Sequence, residues 1–183
     1  MKKFFTFIFL VAVITVILGT IYTVGQQVLR QSANDPQIQM AEDGANGLLA
    51  GAVPADFMPP TRTALDITLS LSPFTMIFDG KGTLLESSAN LHGQSIALPI
   101  GVFDYAKTNG ENKFTWQPET GARFAVVLKY YSAGDKSGFV LVGRSLREVE
   151  IREDNLLLLV AFGWAVSMFF IAAYYFINYK YAR

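Results

Sequence analysis

The chain of 183 residues has no cysteine, a single histidine, and charge on only 16% of its positions. Without cysteine there are no disulfides, no thiol nucleophile and no thiolate metal site. One histidine and no cysteine leave little from which to build a zinc or other transition-metal centre. Fifteen Lys and Arg balance fifteen Asp and Glu. Nucleic-acid partners select a basic excess, so none is expected. What the chain does have is apolar residues, 51% of the total. They are concentrated towards the two ends.

Phe4 to Val24 carries no charge, and neither does Leu156 to Ile177. Crossing about 30 Å of hydrocarbon takes about 20 such residues. Both runs are apolar all round, whereas a helix on a soluble core is striped. A cleaved signal peptide has a shorter apolar stretch and an A-x-A site. Here the first run ends in Gly19-Thr20-Ile21-Tyr22-Thr23-Val24-Gly25. We therefore expect two transmembrane helices, residues 4–24 and 156–177. Trp164 and the Tyr-rich exit of the second (Tyr174, Tyr175, Tyr179, Tyr181) suit a membrane–water boundary.

Lys2 and Lys3 precede the first run, and Lys180 and Arg183 follow the second. Basic flanks stay in the cytoplasm. The expected topology has both termini cytoplasmic (residues 1–3 and 178–183) and a central extracytoplasmic part, with the protein in the cytoplasmic membrane. Residues 25–154 hold 11 basic and 15 acidic residues, a net of 11 − 15 = −4. The neutral total thus divides into four positive charges on the flanks and four net negative charges between them.

The central part reads as α+β. Asp35 caps and Pro36 opens a helix whose Ile38, Ala41, Ala45, Leu48 and Leu49 recur at helical spacing, with Gly51 as its stop. Gly44 and Gly47 each weaken it by about 1 kcal/mol, so it needs a packing partner. Three prolines mark residues 53–61 as a loop. Phe74–Phe78 and Thr83–Ser88 flank Asp79-Gly80-Lys81-Gly82 as a hairpin. Pro99–Asn109 reads as a short helix ended by Gly110. Lys113–Gln117, Ala122–Tyr131 and Phe139–Arg144 read as strands joined by turns at Pro118–Gly121 and Ser132–Gly138. Five short strands joined largely by hairpins imply one antiparallel sheet with helices on one face. Ser145-Leu146-Arg147-Glu148 matches a capping box, which starts a helix running from Leu146 to about Tyr179. Those residues would extend about 51 Å at 1.5 Å each. The last strand then passes into the second apolar helix without a linker.

Chemistry is sparse. Asn90-Leu91-His92-Gly93-Gln94 reads as a polar, exposed loop, and His92 has no nucleophile beside it in sequence. Asp79 lacks the ligand series of a calcium loop, and Gly80 and Gly82 do not match a phosphate loop. Glu86, Glu111 and Glu119 show no acid–base spacing. No catalytic activity, metal or cofactor is expected. In a sheet domain, aromatics with a few fixed polar groups make a ligand cup. Tyr105, Trp116, Arg123, Tyr130 and Tyr131 are the candidates, with the first four taken as the ligand-binding set. Along the fourth strand Phe124, Val126, Leu128 and Tyr130 share a core face, and Arg123 faces away from it. Ser145, Arg147 and Glu148 are the candidates for coupling the domain to the helix that follows. The charges from Arg144 to Asp154 suit either a solvated helix or pairing with a second copy, and Arg144–Glu148 is an i,i+4 pair. No GxxxG specifies close packing of spans, and no charge within a span marks an ion path.

The order of elements carries a resemblance. The hairpin Phe74-Thr75-Met76-Ile77-Phe78-Asp79-Gly80-Lys81-Gly82-Thr83-Leu84-Leu85, the run from Thr115-Trp116-Gln117-Pro118 to Ala125, and Gly143-Arg144-Ser145-Leu146-Arg147-Glu148-Val149-Glu150 resemble the extracytoplasmic PAS-like or Cache-type sensor domains of bacterial membrane-bound sensor kinases. The resemblance covers roughly residues 34–154. It implies a sheet cup for a small ligand (residues 25–144) and a juxtamembrane signalling helix (residues 145–155). About six residues follow the second span, so no kinase part is expected here. The function expected from this is a membrane-anchored sensor or ligand-binding module without catalytic output. It would signal through the 146–179 helix to a membrane protein partner or a second copy. The alternative is an accessory or assembly subunit of a membrane complex.

Overall fold

A computed structural model describes residues 2–32, 34–59 and 64–181. Pro60, Thr61 and Arg183, and the side chains of Lys2, Lys3, Tyr179 and Tyr181, lie outside what is described. The chain forms two units. One runs from Ser32 to Glu148 and holds the sheet; the other comprises the chain up to Gln31 and from Val149 onward.

In the sheet unit, alternating side chains are buried on two faces at once. Strands β2 (Phe74–Asp79), β3 (Leu84–Ser87), β5 (Glu111–Glu119), β6 (Ala122–Ala133) and β7 (Lys136–Ser145) form an antiparallel sheet in the order β3-β2-β7-β6-β5. The first hairpin and the three-stranded meander are therefore joined by the pairing of β2 with β7, with Phe74 opposite Gly143 and Asp79 opposite Gly138. Two-residue strands β1 (Leu65–Asp66) and β4 (Ala89–Asn90) pair in parallel beside this sheet. Sequence periodicity does not reveal them, because two residues carry no period.

On one face Phe74, Met76, Phe78, Phe124, Val126, Leu128, Phe139 and Leu141 form the larger core with Phe103 and Ala106 of helix α3 (Ile100–Asn109). Edge-on ring contacts knit it together, with centroids 5.7 Å apart for Phe74–Phe124, 5.0 Å for Phe78–Phe103 and 5.1 Å for Phe103–Phe139. On the other face Ile77, Val127, Val140 and Val142 pack against Ala41, Ala45 and Leu48 of helix α2 (Asp35–Ala50). Helices thus cover both faces, which corrects the one-faced expectation. The reason lies in β6 itself: the face shared by Arg123 and Lys129 also carries Ala125 and Val127, both buried. Only the ends of that face are polar, and α2 lies over its middle.

Helix α2 supplies the small residues such an approach needs. A Cβ on Gly44 would lie 3.1 Å from Val140 Cγ1, so a glycine that weakens the isolated helix lets it sit close to the sheet. Asn34, not Asp35, takes the N-cap position, and Asp35 is the first helical residue. Gly51 ends the helix at φ +109°, as expected of a left-handed C-cap. Pro99 precedes α3 in extended conformation, one residue outside the helix instead of within its first turn. Asp79 is the turn residue anticipated for it: its Oδ1 accepts from the N–H of Lys81 at 2.9 Å and of Thr83 at 2.8 Å.

The second unit is made by helix α1 (Lys2–Ser32) and by helix α4 (Arg147–Tyr181) from Val149 onward. Both helices are long and apolar enough to cross a membrane, and no residue of either apolar window is buried. They run antiparallel against each other. Phe7 meets Tyr175 edge-on at 5.2 Å, Trp164 Nε1 donates to Thr15 Oγ1 at 2.9 Å, and Arg30 grips both oxygens of Glu153 at 2.7 and 3.1 Å. Within α1, Thr15, Thr20 and Thr23 donate to carbonyls four residues back at 2.8 Å. Those bonds satisfy the hydroxyls within the helix.

Candidate functional site

The larger core fills the sheet face between β2 and β6. Open space lies at its margin, where the edge strand β5 meets the extended segment leading into α3. There a cleft of about 480 Å³ is lined by Leu91, Ser95, Ile96, Ala97, Leu98, Pro99, Trp116 and Pro118. No charged side chain lines it. Trp116 forms its aromatic wall and is held from behind by Phe124, ring centroid to centroid 5.6 Å. Pro118 breaks the regular pairing of β5 with β6, whose register shifts between Trp116 and Glu119. Proline has no N–H to give to a ladder, so such a shift is expected where it enters a strand.

One end of the cleft is built by a tight turn. Leu91 and Gln94 exchange backbone hydrogen bonds at 2.9 and 3.0 Å. Between them His92 has φ +51° and Gly93 φ +78°. Two successive positive φ values in a two-residue connection define a type I′ turn, whose usual occupants are Asn-Gly and Asp-Gly. Asn90 Oδ1 accepts from the Gly93 N–H at 2.8 Å and steadies it.

The imidazole at the tip of this turn meets a carboxylate on each side. His92 Nε2 lies 3.0 and 3.2 Å from the two oxygens of Glu119, at the end of β5. His92 Nδ1 lies 3.6 Å from Asp66 Oδ2, on β1. Asp66 Oδ1 is already used, accepting from the Thr68 N–H at 2.9 Å and from its hydroxyl at 2.7 Å. Those two bonds, with a smaller contribution from His92, hold the Asp66 carboxyl below its ordinary pKa. Glu119, by hydrogen bond and by charge, and Asp66, by charge, raise the His92 pKa above its ordinary value of 6.5. The trio contains no hydroxyl or thiol nucleophile; it can hold a proton and release it. Among the described residues there is no group of His, Asp and Glu arranged to hold a metal ion.

The expected ligand-binding residues are dispersed. Trp116 lines the cleft. Tyr105 lies on the outer side of α3 and is 56% exposed, while Phe103 and Ala106 of that helix face the core. Arg123 is exposed near the start of β6. Tyr130 is half-buried and packs on Phe139 at 5.1 Å. Tyr131 lies on the α2 face, beside the smaller core. Sequence reasoning missed the cleft segment 95–99, which has no periodic pattern. It anticipated His92 as an exposed loop residue, which it is, but gave no sign of Glu119 or Asp66, which are 27 and 26 residues away.

The expected coupling residues do gather, at the end of β7. Ser145 is buried and its Oγ accepts from the Arg147 N–H at 3.3 Å. The capping-box reading placed that bond on Glu148 and the helix start at Leu146. In the structure Ser145 still pairs with Phe124, the Leu146 N–H donates to Arg123 O at 2.9 Å, and α4 starts at Arg147. The ladder thus claims one more residue than expected. Arg144 Nη2 donates to Glu148 Oε2 at 2.9 Å, the anticipated i,i+4 pair. Arg147 Nη2 donates to Thr68 O at 2.6 Å, on the turn next to Asp66.

No family model, curated protein or solved structure matches this chain.

Proposed function

We propose that the chain is a two-span protein of the cytoplasmic membrane that displays its α+β unit on the extracytoplasmic side as a PAS-like sensor. In this reading the Trp116 cleft receives a small ligand, and α4 passes the response to a membrane partner. The observation that carries the reading is the joint at Leu146. The central strand β7 ends at Ser145, α4 begins at Arg147, and α4 carries an apolar window with no buried residue. A helix of that kind needs hydrocarbon or a protein partner around it, because water penalises apolar surface by about 25 cal/mol per Å². A hairpin and a meander joined through their first and last strands support the PAS-like part.

The lining of the cleft favours an uncharged ligand with a flat apolar face for Trp116 and a polar atom within reach of Ser95. The test is a melting screen of the full chain in lipid nanodiscs against uncharged ring compounds, amino acids and organic acids. A ligand at about 100 times its dissociation constant adds about 2.7 kcal/mol of stability. We expect uncharged ring compounds to raise the melt of the sheet unit and Trp116→Ala to abolish the rise. A melt moved by no compound overturns the ligand reading.

One observation favours a second reading. The sheet face beneath the cleft is filled by Phe74, Phe78, Phe103, Phe124 and Phe139, so the cleft is marginal and not a deep cup. An accessory or assembly subunit with a solid domain would look the same. A partner that co-purifies stoichiometrically with the full chain, together with a silent ligand screen, selects it.

A further inference from the structure

The Leu91–Gln94 turn and the end of β5 form two walls of the cleft, and only one side-chain contact described between them is ionic. Leu91 on the turn and Pro118 on β5 both line the cleft; their immediate neighbours, His92 and Glu119, hold each other beside it. An Asn-Gly pair would make this turn with less strain, since Asn tolerates a positive φ best after Gly. The chain instead spends its single histidine here, with a carboxylate facing each ring nitrogen. A neutral imidazole has one N–H, and so can donate to only one of them; an imidazolium donates to both.

We propose that Asp66, His92 and Glu119 form a proton-operated clasp that holds the Leu91–Pro99 wall against β5, keeping the Trp116 cleft to its volume of about 480 Å³ in acid and letting it widen in alkali. The groups facing the imidazole are the carboxyl groups of Glu119 from β5 and Asp66 from β1. The direction follows from linkage. The folded, clasped His92 binds its proton more tightly than a free histidine does. The clasp is therefore complete below pH 6.5 and is lost as pH rises through the higher, folded value. Each further pH unit lowers the protonated fraction about tenfold. The ring is 57% exposed, so protons reach it without any unfolding. The inference deepens the ligand reading, on which its role as a gate rests; the clasp itself is measured without a ligand.

The test uses the full chain in nanodiscs, carrying a histidine-free tag. The single histidine gives an unambiguous imidazole NMR signal, and a Trp164→Phe background leaves Trp116 as the only tryptophan. We expect the His92 midpoint above 6.5 and a rise in acrylamide quenching of Trp116 at that same midpoint. Glu119→Gln should shift the midpoint down towards the ordinary histidine value. His92→Asn restores the preferred Asn-Gly turn, so the fold is kept while the imidazole is lost. It should show the high, alkaline quenching at every pH. A quenching step that survives in His92→Asn overturns the proposal, as does Trp116 quenching that stays flat while His92 titrates. A clasp that titrates as expected with a silent ligand screen at alkaline pH overturns the ligand reading alone.

Discussion

The two units solve opposite problems with similar residues. In the sheet unit the large apolar side chains point inward: Phe74, Phe124, Phe139, Met76 and Leu141 are almost wholly buried. In the helical unit they point outward: Phe9, Leu158, Phe162 and Phe170 are each about two-thirds exposed. The sheet unit gains its stability by removing apolar surface from water. The helical unit keeps that surface exposed, and in the proposed reading hydrocarbon covers it. What sets the two apart is period. Alternation at two residues sends neighbouring strand side chains to two opposite faces, each covered by a helix, whereas an uninterrupted run in a helix offers no polar face to turn outward.

The sharpest way to break this contrast is to make the same kind of change in both units. Phe124→Ala should cost about 3–5 kcal/mol of sheet-unit stability, measured by denaturant titration of the full chain in detergent. Phe162→Ala should leave that transition where it is. Next in size, Val166→Arg at the middle of the α4 apolar run should cost about 2.5–3.5 kcal/mol of membrane insertion, read as loss of the chain from the alkali-resistant membrane fraction. It should not move the sheet-unit melt. Gly44→Val sharpens the sheet side alone: the added methyls meet Val140, and overpacking of this kind costs about 1–3 kcal/mol. The absence of cysteine allows a topological test without background labelling. Asp135→Cys, in the turn between β6 and β7, should react with a membrane-impermeant maleimide in intact cells if the sheet unit faces outward. The smallest effect concerns Asp79. The Thr83 N–H, ahead of the other bonds it accepts, holds its carboxyl below the ordinary value of 3.8. Its stabilising contribution is complete above that value and fades as pH falls through the lower, folded one. Asp79→Asn should therefore flatten the acid limb of stability and leave neutral pH with only the loss of a turn bond.

Most of the architecture was legible because it rests on short-range pattern. Phe74–Phe78 alternates into a glycine-rich turn, Ala122–Tyr131 continues without a breaker, and Gly51 and Gly110 end their helices. Boundaries moved where tertiary pairing intervened, as when the Leu146 N–H stayed with Arg123 and delayed α4 by one residue. The second covered face was hidden because Arg123 and Lys129 give that side of β6 a polar look while Val127 between them is fully buried. The candidate site was the least legible part. Trp116 was named, but its cleft partners come from 95–99, a stretch with neither period nor motif. The partners of His92 are set by long-range folding, and local composition does not encode them.

The pairing of β2 with β7 also sets a timetable. The chain leaves the ribosome in order, and Phe74 must wait for Gly143 before the sheet can close. At about 5–20 residues per second the interval is roughly 3–14 s. During that time β2 has β3 on one side and an open edge on the other, and such an edge readily pairs with a stranger. Newly made chains should thus pass through a window in which a chaperone is most useful, and that window shuts when β7 arrives.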